Sequence, residues 1–291
     1  MSGPSLSWNP VWDLRELLAY PFMVQALAAG TITAILSGVL GWYMVLRRQT
    51  FAGHTLSTMS FPGAAAGTLI ALPGALGYYI ACVIAALAMA RRPDAHDGGG
   101  GIQSARIGTI QAVGLAAGFL LLSLSRSILG GLDDLLFGSF LGITTMQVWA
   151  LAVVAVAVLG VLAVIGRPLL FASLDPEAAY ALGVPVRALE TTFLLMLALT
   201  VAATTQITGA LLVFALLVSP PAAALRLAAR PIPSLLLSVG CALAVIWCSL
   251  VAAYFSKYPL GFYTTSFAFA FYVAAVGGQR VLRRRGRQVT A

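Results

Sequence analysis

Apolar runs follow one another along almost the whole chain, at about 20–46, 60–73, 75–90, 107–128, 146–166, 191–206, 209–224, 233–254 and 260–278. Most could carry an α-helix across the roughly 30 Å hydrocarbon layer of a bilayer. With 60% hydrophobic and only 9% charged residues among 291, and a mean hydropathy of +0.95, no water-soluble core would hide them. The alternation expected of outer-membrane strands is absent, and lipid cannot satisfy backbone polar groups. The predicted fold is therefore all-α: a single polytopic transmembrane helical bundle over residues 1–291, with about eight to nine membrane segments, some short or broken.

The charges set a predicted topology. A net charge of +8 in a soluble chain would suggest nucleic acid, but here the cations sit in short connections and at the C-terminal end, so no nucleic-acid partner is expected. Arg187 precedes, and Arg226 and Arg230 follow, the apolar region around 191–224, which requires an even number of crossings between them. The hydroxyls, amide and glycine of TTQITG (residues 204–209) supply the break. With nine passes, fourteen of the seventeen Lys and Arg residues fall on one side, leaving Arg15, Arg126 and Lys257 on the other. The N-terminus is then expected outside and the C-terminus in the cytoplasm.

Four stretches stand apart from the spans. Residues 1–19, with Trp8 and Trp12, read as an interfacial N-terminal segment; residues 91–106 as a glycine-rich cytoplasmic loop; residues 167–190 as a cytoplasmic connector; and residues 279–291 as a basic cytoplasmic tail. His96, between Asp94 and Asp97, is either a loose metal ligand or part of a solvated loop. Cys82, Cys241 and Cys248 lie inside apolar runs without metal-knuckle spacing.

Within the connector, LDPEAAYALGVPV carries its own punctuation. Asp175 is a good N-cap, Pro176 suits the first helical position, Glu177 complements the helix dipole, and Gly183 can close the far end. A helix this short cannot stand alone. Ala178, Ala179, Tyr180 and Leu182 offer a surface that docks either on the protein's own bundle or on a partner.

This segment resembles the coupling segment of the permease subunits of metal-ion ABC importers, in which Asp-Pro-Glu is followed by Ala-x-x-Leu-Gly. QITGALLVFALL, continuing to Pro220, Ala222 and Ala223, resembles the same family's Gln-x-x-Gly-x-Leu-Leu-Val run. LLFGSFLGIT (residues 135–144) resembles its extracytoplasmic loop, and the likeness runs in order from about residue 20 to 278. It implies a homodimer in a bacterial cell membrane, with the path on its two-fold axis. It also implies two cytosolic ABC ATPase subunits contacting Asp175, Pro176, Glu177, Ala178, Leu182 and Gly183, and an extracytoplasmic substrate-binding protein. The cargo it implies is zinc or manganese. No Gly-x-x-x-x-Gly-Lys-Ser/Thr loop occurs in the chain, so ATP is expected to be bound by the partner and no cofactor by this subunit.

FAGHTLSTMSFPG (residues 51–63) is where the likeness departs. The family's motif reads Gly-Asp-Ala-Leu-Ser-His-Ala-x-Leu-Pro-Gly; aligned on Ser57, Pro62 and Gly63, its Asp falls on His54 and its His on Thr58. His54, Ser57, Thr58 and Phe61 have the spacing of one helical face. His54 is either a helix-end residue bonded to backbone or water, or part of a pathway that a dimer would line twice. Gln206, at the helix break, is a further pathway candidate. Imidazole suits zinc, copper or nickel, whereas hydroxyls alone are weak transition-metal ligands. Two other readings stay open: an ABC permease for a non-metal or chelated substrate, and an ATP-independent channel or secondary transporter. Against the latter, the spans hold almost no acids or histidines to carry coupling ions.

Overall fold

The computed structural model of the chain describes residues 19–70, 76–91, 100–124, 142–256 and 258–289. Among them are ten α-helices: α1 (Pro21–Leu46), α2 (Thr50–Leu69), α3 (Leu76–Ala90), α4 (Gly100–Leu124), α5 (Thr145–Leu174), α6 (Pro176–Ala181), α7 (Val186–Thr208), α8 (Ala210–Leu227), α9 (Pro231–Tyr254) and α10 (Leu260–Val289). No strand occurs among the described residues. Six of the helices are long and apolar enough to cross a bilayer: α1, α4, α5, α7, α9 and α10. The chain is a multi-pass, all-α membrane protein. Nearly all of the predicted interfacial segment, His96 and most of LLFGSFLGIT lie outside the described residues.

Several helices overrun their predicted bounds. α2 begins at Thr50, ten residues before the expected start, because its hydroxyls need no water. Ser57 Oγ donates to the His54 carbonyl at 2.8 Å, Thr58 Oγ1 to Thr55 at 2.9 Å, and Ser60 Oγ to Ser57. α4 starts at Gly100, inside the stretch read as a loop over 91–106. Its Arg106 guanidinium donates to the Ala88 and Met89 carbonyls, tying the first turns of α4 to the open carbonyls of α3's last turn. α5 continues through Pro168 to Leu174, into the expected connector, and α10 runs past 278 to Val289.

The chain divides into two compact units. One comprises residues 1–45, 140–148 and 215–291, the other residues 46–139 and 149–214. In the first, α9 turns a stripe of small and hydroxyl residues toward α1. Ser238 Oγ donates to the Gly38 carbonyl at 2.7 Å, Trp42 Nε1 to Ser234 Oγ at 3.0 Å, and Trp247 Nε1 to Thr31 Oγ1 at 3.1 Å. Gly41 lies against the Leu217 carbonyl of α8. Pro221, four residues on, has no N–H to offer that carbonyl, so a bare α-carbon can approach it closely.

In the second unit α2 is the hub, packed on α3, α4 and α7. Gly63 and Gly77 bring α2 and α3 into backbone contact: a Cβ on Gly63 would sit 2.5 Å from the Gly77 oxygen. Phe51, Met89, Gln103, Ala172, Pro176 and Val186 all line one cavity. The starts of α2, α4 and α7 therefore meet the ends of α3 and α5 at one pole, and these helices alternate in direction. Arg47 and Arg48 line the same cavity, and Arg91, Arg106 and Arg187 each lie within three residues of its wall.

Candidate functional site

Two places answer to the residues singled out in the sequence. The first is the open side of α2. Between residues 52 and 65 every position is buried except His54 and Thr58, which are half-buried one turn apart. Between residues 200 and 210 the same holds for Gln206 alone. Ser57 and Phe61 lie on the same helical face as His54 but are covered: Ser57 is 1% exposed, and Phe61 packs on Phe119 of α4 with ring centroids 5.2 Å apart. Nor is His54 at a helix end, since α2 begins four residues earlier.

The His54 ring stacks obliquely on Phe214, centroids 4.7 Å apart, and its Nδ1 is buried with no hydrogen-bond partner. Gln206 Nε2 donates to the Ala202 carbonyl at 3.0 Å. No hydrogen bond links Gln206 to His54, Ser57 or Thr58 among the described residues. Phe214, which packs on His54, carries no signal of its own in the sequence, because apolar runs are full of aromatic residues. Among the described residues no three His, Cys, Asp or Glu side chains come together. Gly209 separates α7 from α8 with φ 80 and ψ 155, in the left-handed half of the map that suits glycine. The helix breaks where TTQITG predicts.

The second place is α6. Asp175 Oδ1 accepts from the Ala178 N–H at 3.0 Å, Pro176 holds the first helical position, and Glu177 lies in the first turn. At the far end Gly183 has φ 78; its N–H reaches the Tyr180 carbonyl and that of Val184 reaches Ala179, both at 3.0 Å. That pair of bonds is a Schellman cap. Ala179 is buried, whereas Tyr180 is 77% and Leu182 75% exposed. A six-residue helix with one side chain inward thus turns two large apolar side chains outward. Asp175, Pro176, Glu177 and Gly183 are exposed beside them, with Ala178 half-buried.

Around α6 the structure brings together residues for which the sequence carried no motif. Arg47 Nη1 donates to Ser173 Oγ at 2.9 Å and its guanidinium lies over the Phe193 ring, 5.4 Å from the centroid. Gln49 Nε2 reaches Glu190 Oε1 at 3.4 Å, and Glu190 is 8% exposed.

The family described as the ABC 3 transport family matches residues 19–278. A manganese transport system membrane protein, MntC, of Halalkalibacterium halodurans is 30% identical over 228 residues, covering 76% of this chain and 75% of the relative. A chelated iron transport system membrane protein, YfeD, of Yersinia pestis is 27% identical over 207 residues, covering 71% of this chain and 68% of the relative. Among solved structures, PsaBC from Streptococcus pneumoniae in complex with Fab superposes with a TM-score of 0.81 at 23% identity, over 94% of this chain and 99% of that one.

Proposed function

The chain belongs to the ABC 3 transport family, and from that premise we propose that it is the membrane-spanning permease of a bacterial importer for a divalent metal ion, zinc or manganese. Two copies surround one path, two cytosolic ATPase subunits drive it, and a substrate-binding protein delivers cargo from outside. The observation that carries this reading is α6: a doubly capped helix, at the pole where the arginines gather, whose exposed Tyr180 and Leu182 offer an apolar surface to a partner.

In this reading the arginine-rich pole faces the cytoplasm. The ATPase receives α6, and ATP binding there biases the bundle between outward- and inward-open states. His54, Thr58 and Gln206 belong to the path, because they are the half-open polar positions on otherwise buried helix surfaces. On a two-fold axis one His54 per chain supplies two imidazoles. A second reading has support in that donor set: with histidine and threonine where the family motif has aspartate and histidine, cargo that carries its own ligands also fits. Chelated iron is named for one relative.

Changing Asp175 and Glu177 together to Ala tests the docking role. Co-purification of the ATPase should be lost while the permease still extracts as folded protein; undiminished co-purification would refute it. Uptake by the reconstituted complex, with its binding protein, across manganese, zinc and iron tests the cargo. No uptake of any of them rejects the metal.

A further inference from the structure

α6 has little grip of its own on the bundle. Its one buried side chain is Ala179, and the helix it packs on is α7. Movement imposed on α6 must therefore leave through its two flanks, the last turn of α5 and the first turns of α7. Both flanks hold the same third element, the turn at residues 47–49 between α1 and α2. Ser173, two residues before the Asp175 cap, takes the Arg47 bond; Glu190 and Phe193 of α7 take Gln49 and the Arg47 guanidinium.

That turn is firmly set. Arg48 has φ 57, a left-handed conformation that a residue with a β-carbon keeps only where its surroundings over-determine it. Gln49 is the N-cap of α2, and its carbonyl accepts from the Gly53 N–H at 3.1 Å. A displacement of the turn is thus delivered to the first turn of α2, and His54 is the next residue along. The setting also gives room to move. The turn borders a cavity of about 370 Å³ that Gln103, Ser104 and Ile107 of α4 also line, whereas a close-packed interior would resist any shift.

We propose that the turn at residues 47–49, clamped by Ser173 and Glu190, is the lever that passes movement of α6 to α2, with Gln49 and Glu190 as its positioning residues. The proposal rests on α6 being the ATPase docking helix. Its test is a cysteine at Thr58, in a chain whose three native cysteines are replaced by alanine, labelled with a membrane-impermeant maleimide in proteoliposomes holding the permease and its ATPase. In the parent, ATP should change the labelling rate at least about five-fold. Gln49→Ala and Glu190→Ala should each abolish that response while the ATPase still co-purifies and hydrolyses ATP at its basal rate, and the double variant should be no worse than either single one.

A response of parental size in both assembled single variants overturns the proposal, as does a parent complex that hydrolyses ATP without any change at residue 58. Failure of the ATPase to bind the parent is a different outcome: it removes the docking reading itself, and the lever with it.

Discussion

α2 and α4 pack against each other, yet they are built by opposite rules. α2 carries a histidine, six hydroxyls and seven glycines and alanines besides Pro62, too polar to count among the helices able to cross lipid, and thirteen of its twenty residues are buried. α4 crosses on apolar residues, and only 17% of its most apolar stretch is buried; α5 is similar at 22%, against 61% for α7. The lesson is that hydropathy in this chain reports contact with lipid rather than depth in the protein. Where the solvent is hydrocarbon, the apolar side chains face out, and helices that pack on helices use small and hydroxyl residues instead.

The largest expected effect breaks this contrast directly. Val156 of α5 is 73% exposed, and aspartate there would stand in lipid at a cost of about 2.5–3.5 kcal/mol. Thr58→Asp on α2 should cost under about 1 kcal/mol if its half-open face meets water rather than acyl chains. The yield of monodisperse protein extracted from membranes compares the two. Equal losses would place Thr58 against lipid and remove it from any path.

A smaller effect uses one substitution with opposite signs. A Cβ on Gly63 would lie 2.5 Å from the Gly77 oxygen and 2.7 Å from the Ala81 Cβ, so Gly63→Ala should destabilise by about 1–3 kcal/mol. On Gly160 of α5 a Cβ meets nothing within 4 Å, and Gly160→Ala should be neutral or stabilising by up to about 1 kcal/mol through helix propensity. Thermal unfolding of the two variants in the same detergent reads the difference; matching shifts would show that α2 and α3 are not held by backbone contact.

These tests also mark what was legible in the sequence. α6 was, down to its caps, because Asp175, Pro176 and Gly183 act on backbone groups within a few residues of themselves, and the Gly209 break is local in the same way. The start of α2 was not. Ser57, Thr58 and Ser60 lower the hydropathy that marks a span, although their hydroxyls bond to carbonyls one turn back as packing hydroxyls do, and the open stripe at His54 and Thr58 depends on which neighbours cover the rest. The clamp on the 47–49 turn joins residues up to 141 positions apart, Gln49 to Glu190. No spacing rule reaches that far.

The smallest expected change in stability falls on the residue of greatest interest. His54→Ala removes one oblique ring contact with Phe214 and a buried Nδ1 that has no partner. Losing the contact costs about 0.5–1.5 kcal/mol, and removing an unsatisfied nitrogen gives part of that back. Unfolding should therefore move by under about 1 kcal/mol, well inside the effect of Gly63→Ala on the same helix. Transport should respond otherwise if the proposed path is lined twice by His54, because both imidazoles are then lost at once. We expect uptake of zinc, which binds imidazole well, to fall at least about ten-fold, and His54→Asp, which restores the family's carboxylate, to shift preference toward manganese. If His54→Ala is both as stable and as active as the parent, the imidazole serves packing alone. The half-open stripe on α2 would then owe its polarity to the bundle rather than to the cargo.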